Sequence, residues 1–465
     1  MALPLSNLSR INRPIPAAPR GAAISAGLPR VVRQSQDVFQ TLNRRNQLLL
    51  GGLGGFGGSI FDNMRDRGSP LSMFRPRGPL LGRLAQQPLE LTRAESVALL
   101  QTRFGMKGPA NAVALEKLEK SAEFKSMTKG LQTRVLKSFV AGLNDPARVS
   151  DLSALLVQPE FKSLEPRQKA YALDVFDQAN AQGRKSLSTL LKRQVDGKSA
   201  ALDTDSKGVT LIERMSFLAR GGMDLRFESA SVTRSSLVSS ILQEVATPGQ
   251  INQSNHSTCT VTSMQYMLCN TDPAEYVRLM QGLVNGGTVK TQSGVTLTRV
   301  PDSIANDTAT NRSASERIFQ SAMMELSNDT KSYSNVSDLN TTPKGDTNTG
   351  LWDSEEERGL EALFGHQFTN YTGEKDRSGS EMLDKLRGRS PGQTLTNFAW
   401  GTGQHAVVVT KLENGRVYFR NPWGPTNEKV GTTKSDPARQ IEDANGLESM
   451  TEAEFIDKAR NVFID

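Results

Sequence analysis

Cys259 has a residue type and a position suited to nucleophilic chemistry by a thiol. It follows the polar, turn-like stretch QSNHST and opens a stretch in which apolar residues recur at helical spacing. The chain has 465 residues and only two cysteines. At the first turn of a helix, unpaired backbone N–H groups and the helix dipole stabilise negative charge. The position therefore predicts a nucleophilic thiol with a lowered pKa.

Three further residues could complete this chemistry. Gln253 lies six residues before Cys259, and its side-chain amide could form an oxyanion hole with the Cys259 backbone N–H. His405 and Asn421 lie on two β-rich runs joined by Asn414-Gly415, a strong hairpin signal. An Asn oxygen can accept a hydrogen bond from an imidazole and hold its tautomer. These residue types, in this order, predict that Cys259 is the nucleophilic thiol, His405 the general base and Asn421 the amide that orients the imidazole.

The register of this hairpin needs an irregularity to bring the two side chains together. Strict pairing about Asn414-Gly415 would set Asn421 opposite Val408 rather than His405, an offset of about 10 Å. A bulge, a longer turn or diverging strand ends must close part of it. Trp423, two residues past Asn421, could then cover the pair and exclude water.

The remaining residues of these types are interpreted as structural. Cys269 is expected in the core, His256 need not face the thiol, and His366 has no suggestive neighbours. An acidic patch is interpreted as a solvated loop rather than a metal site; it consists of Asp346, Asp353, Glu355, Glu356 and Glu357.

The order Gln253, Cys259, His405, Asn421 resembles that of the papain-like cysteine peptidases. The six-residue step from Gln253 to Cys259 and a helix starting at the cysteine belong to the same resemblance. RNPWG (Arg420–Gly424) and the closing MTEAEFIDKARNVF are similar, more narrowly, to the calpain-type catalytic core. The resemblance covers roughly residues 235–465.

The resemblance implies a two-lobed α+β catalytic domain, with the cysteine on a helical lobe and His405 and Asn421 on an antiparallel β lobe. It implies attack by Cys259, proton transfer by His405, orientation by Asn421 and oxyanion donation by Gln253. The sequence departs from the family at Thr260, where these peptidases usually have Trp. Calcium is suggested only by the calpain resemblance, and the calcium-binding loops of calpains are not matched in this sequence. We therefore expect that no cofactor is required.

The rest of the chain divides by composition and periodicity. Residues 1–88 form an Arg-, Pro- and Gly-rich tail that we expect to be disordered. Residues 1–90 hold 12 Arg and no Lys against 3 Asp and 1 Glu, whereas the whole chain has a net charge of +7. The basic character therefore belongs to the tail, and residues 226–465 are predicted to form the peptidase-like domain.

Residues 89–225 are predicted to form a helical repeat region. AEFKSMTKGLQTRVLKSF, ending at Phe139, matches PEFKSLEPRQKAYALDVF, ending at Phe176, at an offset of 37 residues. A third, weaker copy is expected in ALDTDSKGVTLIERMSFLA. Such a repeat predicts stacked helical pairs that cover each other's apolar faces.

The sequence predicts a cysteine-type peptidase and leaves two other functions open. One is an acyltransferase or deamidase on the same fold, and the other is an inactive adaptor that binds peptides. We expect a protein or peptide substrate, and the repeats offer a surface for a protein partner.

The basic tail has too few aromatic residues for stacking on RNA, so we expect no nucleic-acid partner. We expect no integral membrane segment, because the run LLLGGLGGFGGSIF is too short and glycine-rich. The N-terminal residues lack an apolar signal region, which predicts a cytoplasmic protein or one exported without a cleavable signal peptide.

Overall fold

The computed structural model describes residues 109–305, 311–372, 379–389, 394–401, 403–425 and 439–465. All of them belong to one compact unit. The tail predicted over residues 1–88 lies outside the described residues. The described part is a mixed α+β structure, which confirms the α+β part of the predicted fold class, and the two papain-like lobes stay a prediction.

The helices are distributed along the whole described chain. The N-terminal ones are α1 (Pro109–Lys120), α2 (Ala122–Lys125), α3 (Lys129–Ala141), α4 (Pro146–Val157), α5 (Pro159–Ser163), α6 (Pro166–Gln178), α7 (Ala181–Lys192), α8 (Leu211–Arg220) and α9 (Arg226–Ser229). The later ones are α10 (Arg234–Ala246), α11 (Cys259–Thr271), α12 (Pro273–Asn285), α13 (Ala314–Ser327), α14 (Asp353–Phe364), α15 (Gly379–Leu386) and α16 (Glu452–Lys458).

The internal repeat is a repeat of structure as well as sequence. The first copy folds as the short helix α2 and the long helix α3, and the second folds as α5 and α6. The matching Phe124 and Phe161 are both buried. Ser126 and Ser163 each donate a 2.8 Å hydrogen bond to the carbonyl three residues earlier. The sequence match therefore reflects the same local turn and the same core position.

The stacking continues past the two matched copies. Helix α3 packs on α6 and α6 on α8, while α4 packs on α7 and α7 on α10. Gly183 in α7 comes so close to α10 that a Cβ there would lie 2.5 Å from the Ser239 hydroxyl. The stacked helices form a helical array that consists of α3, α4, α6, α7, α8 and α10. Helix α10 is the last layer of this helical array, although it belongs to the segment predicted as the peptidase-like domain.

The strands form one large antiparallel sheet and several short pairs. The large sheet has the order β12-β13-β11-β10-β9-β14-β8. Its strands are β8 (Thr369–Thr372), β9 (Thr394–Trp400), β10 (Gly403–Glu413), β11 (Arg416–Arg420), β12 (Arg439–Ile441), β13 (Leu447–Thr451) and β14 (Ala459–Ile464). The short strands are β1 (Gln194–Val195), β2 (Lys198–Ser199), β3 (Thr288–Lys290), β4 (Thr296–Thr298), β5 (Ser332–Ser334), β6 (Leu339–Thr341) and β7 (Thr347–Asn348).

The predicted hairpin turn is confirmed at its position, and a side-chain cap begins the last helix. Strands β10 and β11 are joined at Asn414 and Gly415, which both have positive φ as a tight hairpin turn requires. Helix α16 is capped by Thr451, whose hydroxyl accepts a hydrogen bond from the Glu454 N–H.

One hydrophobic core runs through the helices and reaches the sheet. It extends from Leu115 in α1 to Phe463 in β14 and includes residues of the helical array and of the cysteine helix α11. A second, smaller core lies between the sheet and helices α15 and α16. The main core continues across residue 225, and the domain division at that residue stays a prediction.

Within the described residues, helices long and apolar enough to cross a membrane are absent.

Candidate active site

Cys259 is the first residue of helix α11, as predicted, and it is half-buried. Helix α11 packs against strand β10. The sulfur accepts a hydrogen bond from the backbone N–H of Ala406, the residue after His405. The helix and the sheet therefore meet where the thiol and the imidazole were expected to meet.

His405 and Asn421 are in direct contact. The Nε2 atom of His405 lies 2.9 Å from Oδ1 of Asn421, and both residues are buried. Because Oδ1 can only accept, Nε2 is the nitrogen that carries the proton in the neutral ring. Nδ1 is then the nitrogen that is left to accept a proton from another group.

Two local features remove the offset between His405 and Asn421 that strict hairpin pairing would leave. A bulge at Thr410 shifts the register, so that Val408 pairs with Arg420 instead of Asn421. The chain then leaves the sheet at Asn421, whose backbone N–H donates to the Gly446 carbonyl at 2.9 Å. The bulge and this turn together bring the Asn421 side chain back to His405.

Aromatic rings surround the imidazole, as the sequence predicted for Trp423. The Trp423 ring stacks on His405 with centroids 4.7 Å apart, and it is itself 39% exposed. Trp400 lies 5.1 Å from His405 and contacts the edge of Trp423. The rings separate much of the imidazole from water.

Gln253 lies beside the turn that carries Asn421. Its backbone N–H donates to the Pro422 carbonyl at 2.7 Å, so the loop before the cysteine is joined to the sheet. One N–H of its side chain donates to the His256 carbonyl at 2.6 Å. The side-chain nitrogen keeps a second N–H that could point toward an oxyanion. His256 itself is turned toward the Asn335 carbonyl, 2.8 Å from its Nε2.

Helix α13 holds both ends of the loop from Asn252 to Thr258. Glu316 accepts from the Asn252 backbone N–H at 2.9 Å. Gln320 donates to the Asn252 carbonyl at 3.0 Å and accepts from the Thr258 hydroxyl at 3.3 Å. These two supporting residues of α13 are polar and have no local signal in the sequence.

Burial opposes the charged forms of both central groups. It raises the pKa of the Cys259 thiol despite the hydrogen bond from Ala406, and the charge of Glu356 raises it further. Burial likewise lowers the pKa of His405 to about 4, partly offset by the hydrogen bond to Asn421. The lowered thiol pKa expected from the helix start is therefore wrong, because removal from water outweighs the helix-terminal effect.

The interpretation of the acidic patch as a solvated loop is also wrong for most of its members. Asp353 begins helix α14, and Glu355 and Glu356 are buried. Glu356 accepts from the Thr260 hydroxyl at 2.5 Å and from Asn397 at 2.6 Å, and burial raises its pKa to about 7. Thr260, which departs from the family pattern, thus connects the cysteine helix to a buried carboxyl group.

Two of the remaining histidine and cysteine residues lie away from this site. His366 is exposed and lies 3.7 Å from Asp465, and Cys269 is fully buried within α11. Across the described ranges, we find no cluster of three or more His, Cys, Asp or Glu side chains arranged to hold a metal ion.

Comparison of the chain with protein-family models, curated proteins and solved structures found no match.

Proposed function

We propose that the protein is a cysteine-type peptidase that uses Cys259, His405 and Asn421 on a papain-like core. The observation that carries the proposal is the 2.9 Å contact of His405 Nε2 with Asn421, next to a cysteine at a helix start. Helix α11 and the seven-stranded sheet would correspond to the two papain-like lobes. The substrate is a peptide bond that enters where α11 meets strand β10.

The proposed reaction begins with proton transfer from the Cys259 thiol to Nδ1 of His405. The sulfur attacks the carbonyl carbon, and the Cys259 backbone N–H and Gln253 stabilise the resulting oxyanion. His405 then returns the proton to the leaving amine, which leaves a thioester on Cys259. Water, activated by His405, hydrolyses the thioester and regenerates the thiol.

An active-site thiol probe on the intact protein tests the nucleophile. We expect the probe to modify the unsubstituted chain and the Cys269→Ala variant, and to leave the Cys259→Ala variant unmodified. Peptide mapping of the labelled protein identifies the modified residue. Retention of the label in Cys259→Ala would contradict the proposal.

Substitution of the histidine and the asparagine tests the other two roles. His405→Ala should abolish peptide hydrolysis, since the same imidazole takes and returns the proton. Asn421→Ala should leave measurable kcat, because Asn421 acts by orienting the ring. His366→Ala is the matched control, because His366 is an exposed histidine outside the site. Unchanged kcat/KM in the first two variants would refute the triad.

A further inference from the structure

Glu448 is a buried carboxylate directly behind Asn421. It lies on strand β13, opposite Phe419 of β11, and is 2% exposed. Asn421 donates a hydrogen bond from Nδ2 to Glu448 Oε1 at 2.9 Å. On the other side, Nε of Arg439 lies 3.0 Å from Glu448 Oε2, and both side chains of this ion pair are buried.

This contact restricts how the Asn421 side chain can be oriented. An ionised carboxylate accepts hydrogen bonds and donates none, so the group facing Glu448 must be the NH₂ end of the amide. The carbonyl end of the same amide must then face the opposite way. There Oδ1 lies 2.9 Å from His405 Nε2 and accepts from the Trp423 backbone N–H at 3.2 Å.

We propose that Glu448 is a positioning residue that selects the tautomer of His405 through the Asn421 amide. With Oδ1 facing the ring, His405 must carry its proton on Nε2, and Nδ1 is left as the acceptor. The reverse amide orientation would present N–H to Nε2 and favour the tautomer protonated at Nδ1. In that tautomer Nδ1 already carries a proton and Nε2 faces the Asn421 amide, so neither nitrogen is available to take the proton of the thiol. The catalytic consequence of the inference rests on the proposed peptidase function.

Arg439 supports this arrangement from two directions. Its guanidinium forms a buried ion pair with Glu448, and a buried carboxylate needs such a partner. The same group lies over the Trp400 ring at 4.3 Å, and Trp400 is one of the rings around His405. The ion pair therefore contacts the orienting amide on one side and the wall of the imidazole site on the other.

The glutamine variant is the sharpest test, because it keeps the shape of the side chain and removes the acceptor-only property. A Gln amide can donate to Asn421 Oδ1, so in Glu448→Gln the carboxylate no longer opposes the reversed Asn421 amide, and the Trp423 backbone N–H is left to favour the original orientation. The imidazole is neutral at pH 7, since burial lowers the His405 pKa to about 4. ¹⁵N chemical shifts of the imidazole nitrogens therefore report the tautomer directly, with His405→Ala identifying the signals.

We expect the unsubstituted chain to show His405 protonated at Nε2, and Glu448→Gln to show a substantial population protonated at Nδ1. On a peptide substrate, kcat should fall about tenfold, equivalent to about 1.4 kcal/mol, with KM little changed. The matched control is Glu442→Gln, because Glu442 lies near β12 and accepts from Ser449 instead of Asn421. The control should keep both the tautomer and kcat.

Two results would overturn the inference. One is an Nδ1-protonated His405 in the unsubstituted chain, a measurement that needs no variant to fold. The other is an unchanged tautomer in a folded Glu448→Gln protein. The tautomer is read without substrate, so these results decide the role of Glu448 even if the chain hydrolyses no peptide. Failure of the peptidase function itself would instead appear as absent hydrolysis by the unsubstituted chain.

Discussion

At the scale of single residues, the protonation states of Cys259 and His405 are set by burial. The thiol pKa is raised and the imidazole pKa is lowered to about 4, so both groups are neutral at pH 6 to 7 in the free protein. The reactive thiolate then forms by proton transfer between the two groups during attack. A pre-formed ion pair between them is disfavoured, because each charge would have to be buried.

The pH dependence of alkylation tests this protonation state. Iodoacetamide reacts with the thiolate, so the rate at Cys259 should rise continuously from pH 6 to beyond about 8.5, the usual pKa of a free thiol. Quenched labelling followed by peptide mapping gives the rate at each pH. A rate that is already constant from pH 5 upward would demonstrate a thiolate–imidazolium pair and contradict the direction of both shifts.

Glu356 should suppress thiolate formation at Cys259. Its charge raises the pKa of the thiol, and Glu356 itself ionises near pH 7 because its own pKa is about 7. Glu356→Gln should therefore accelerate alkylation of Cys259 mainly above pH 7, by roughly 2- to 5-fold if the thiol pKa falls by less than about one unit. Glu357→Gln, one residue further along α14, is the control and should leave the rate unchanged.

At the scale of elements, the site depends on close contact between the loop before α11 and the turn after β11. Gly424 lies in this turn with φ +81°, and a Cβ added to it would lie 2.2 Å from the Cβ of Asn252. The adjacent bond from the Gln253 N–H to the Pro422 carbonyl joins the same two segments. Separation of the segments would move Gln253 and Asn421 apart.

Gly424→Ala should therefore lower both the activity and the stability of the protein. We expect kcat/KM to fall at least tenfold, while thermal unfolding shows a loss of about 1–3 kcal/mol from strain and overpacking. Gly415→Ala is the matched control, because Gly415 also has positive φ, yet nothing lies within 4 Å of its added Cβ. Equal kinetic losses in the two variants would show that the contact with Asn252 is unimportant.

At the scale of the whole molecule, the helical array contacts the far end of the cysteine helix. Arg193, after α7, donates to the carbonyls of Val245 and Asn270. Asn270 is eleven residues beyond Cys259 in the chain, or about 16 Å along the helix. These contacts hold α11 at its C-terminal end. The helical array therefore supports the cysteine helix at the end opposite the thiol.

The same packing predicts that residues 226–465 do not fold alone. A fragment starting at residue 226 would expose the face of α10 that packs on α7, where Ser239 closely approaches Gly183. We expect this fragment to aggregate, and residues 91–465 to unfold in one cooperative transition. Circular dichroism and solubility measurements distinguish the two. A soluble, cooperatively unfolding 226–465 fragment would refute this prediction.

The sequence alone determines those features of this protein that depend on residues close to one another in the chain. The helix start at Cys259 and the Asn414-Gly415 turn depend on residues a few positions apart, so local patterns are sufficient to predict them. The repeat also appeared in the sequence, because both copies bury the same phenylalanine and use the same serine turn.

Only the tertiary structure decided which distant groups surround the candidate site. Glu356 reaches Thr260 across 96 positions, and Glu448 reaches Asn421 from another strand, so neither contact has a local signal. The direction of the Cys259 pKa shift was likewise beyond the sequence, which shows a helix start but not the depth of burial. Burial arises from the packing of α11, α14 and β10 together, and the cost of removing a charge from water depends on that packing.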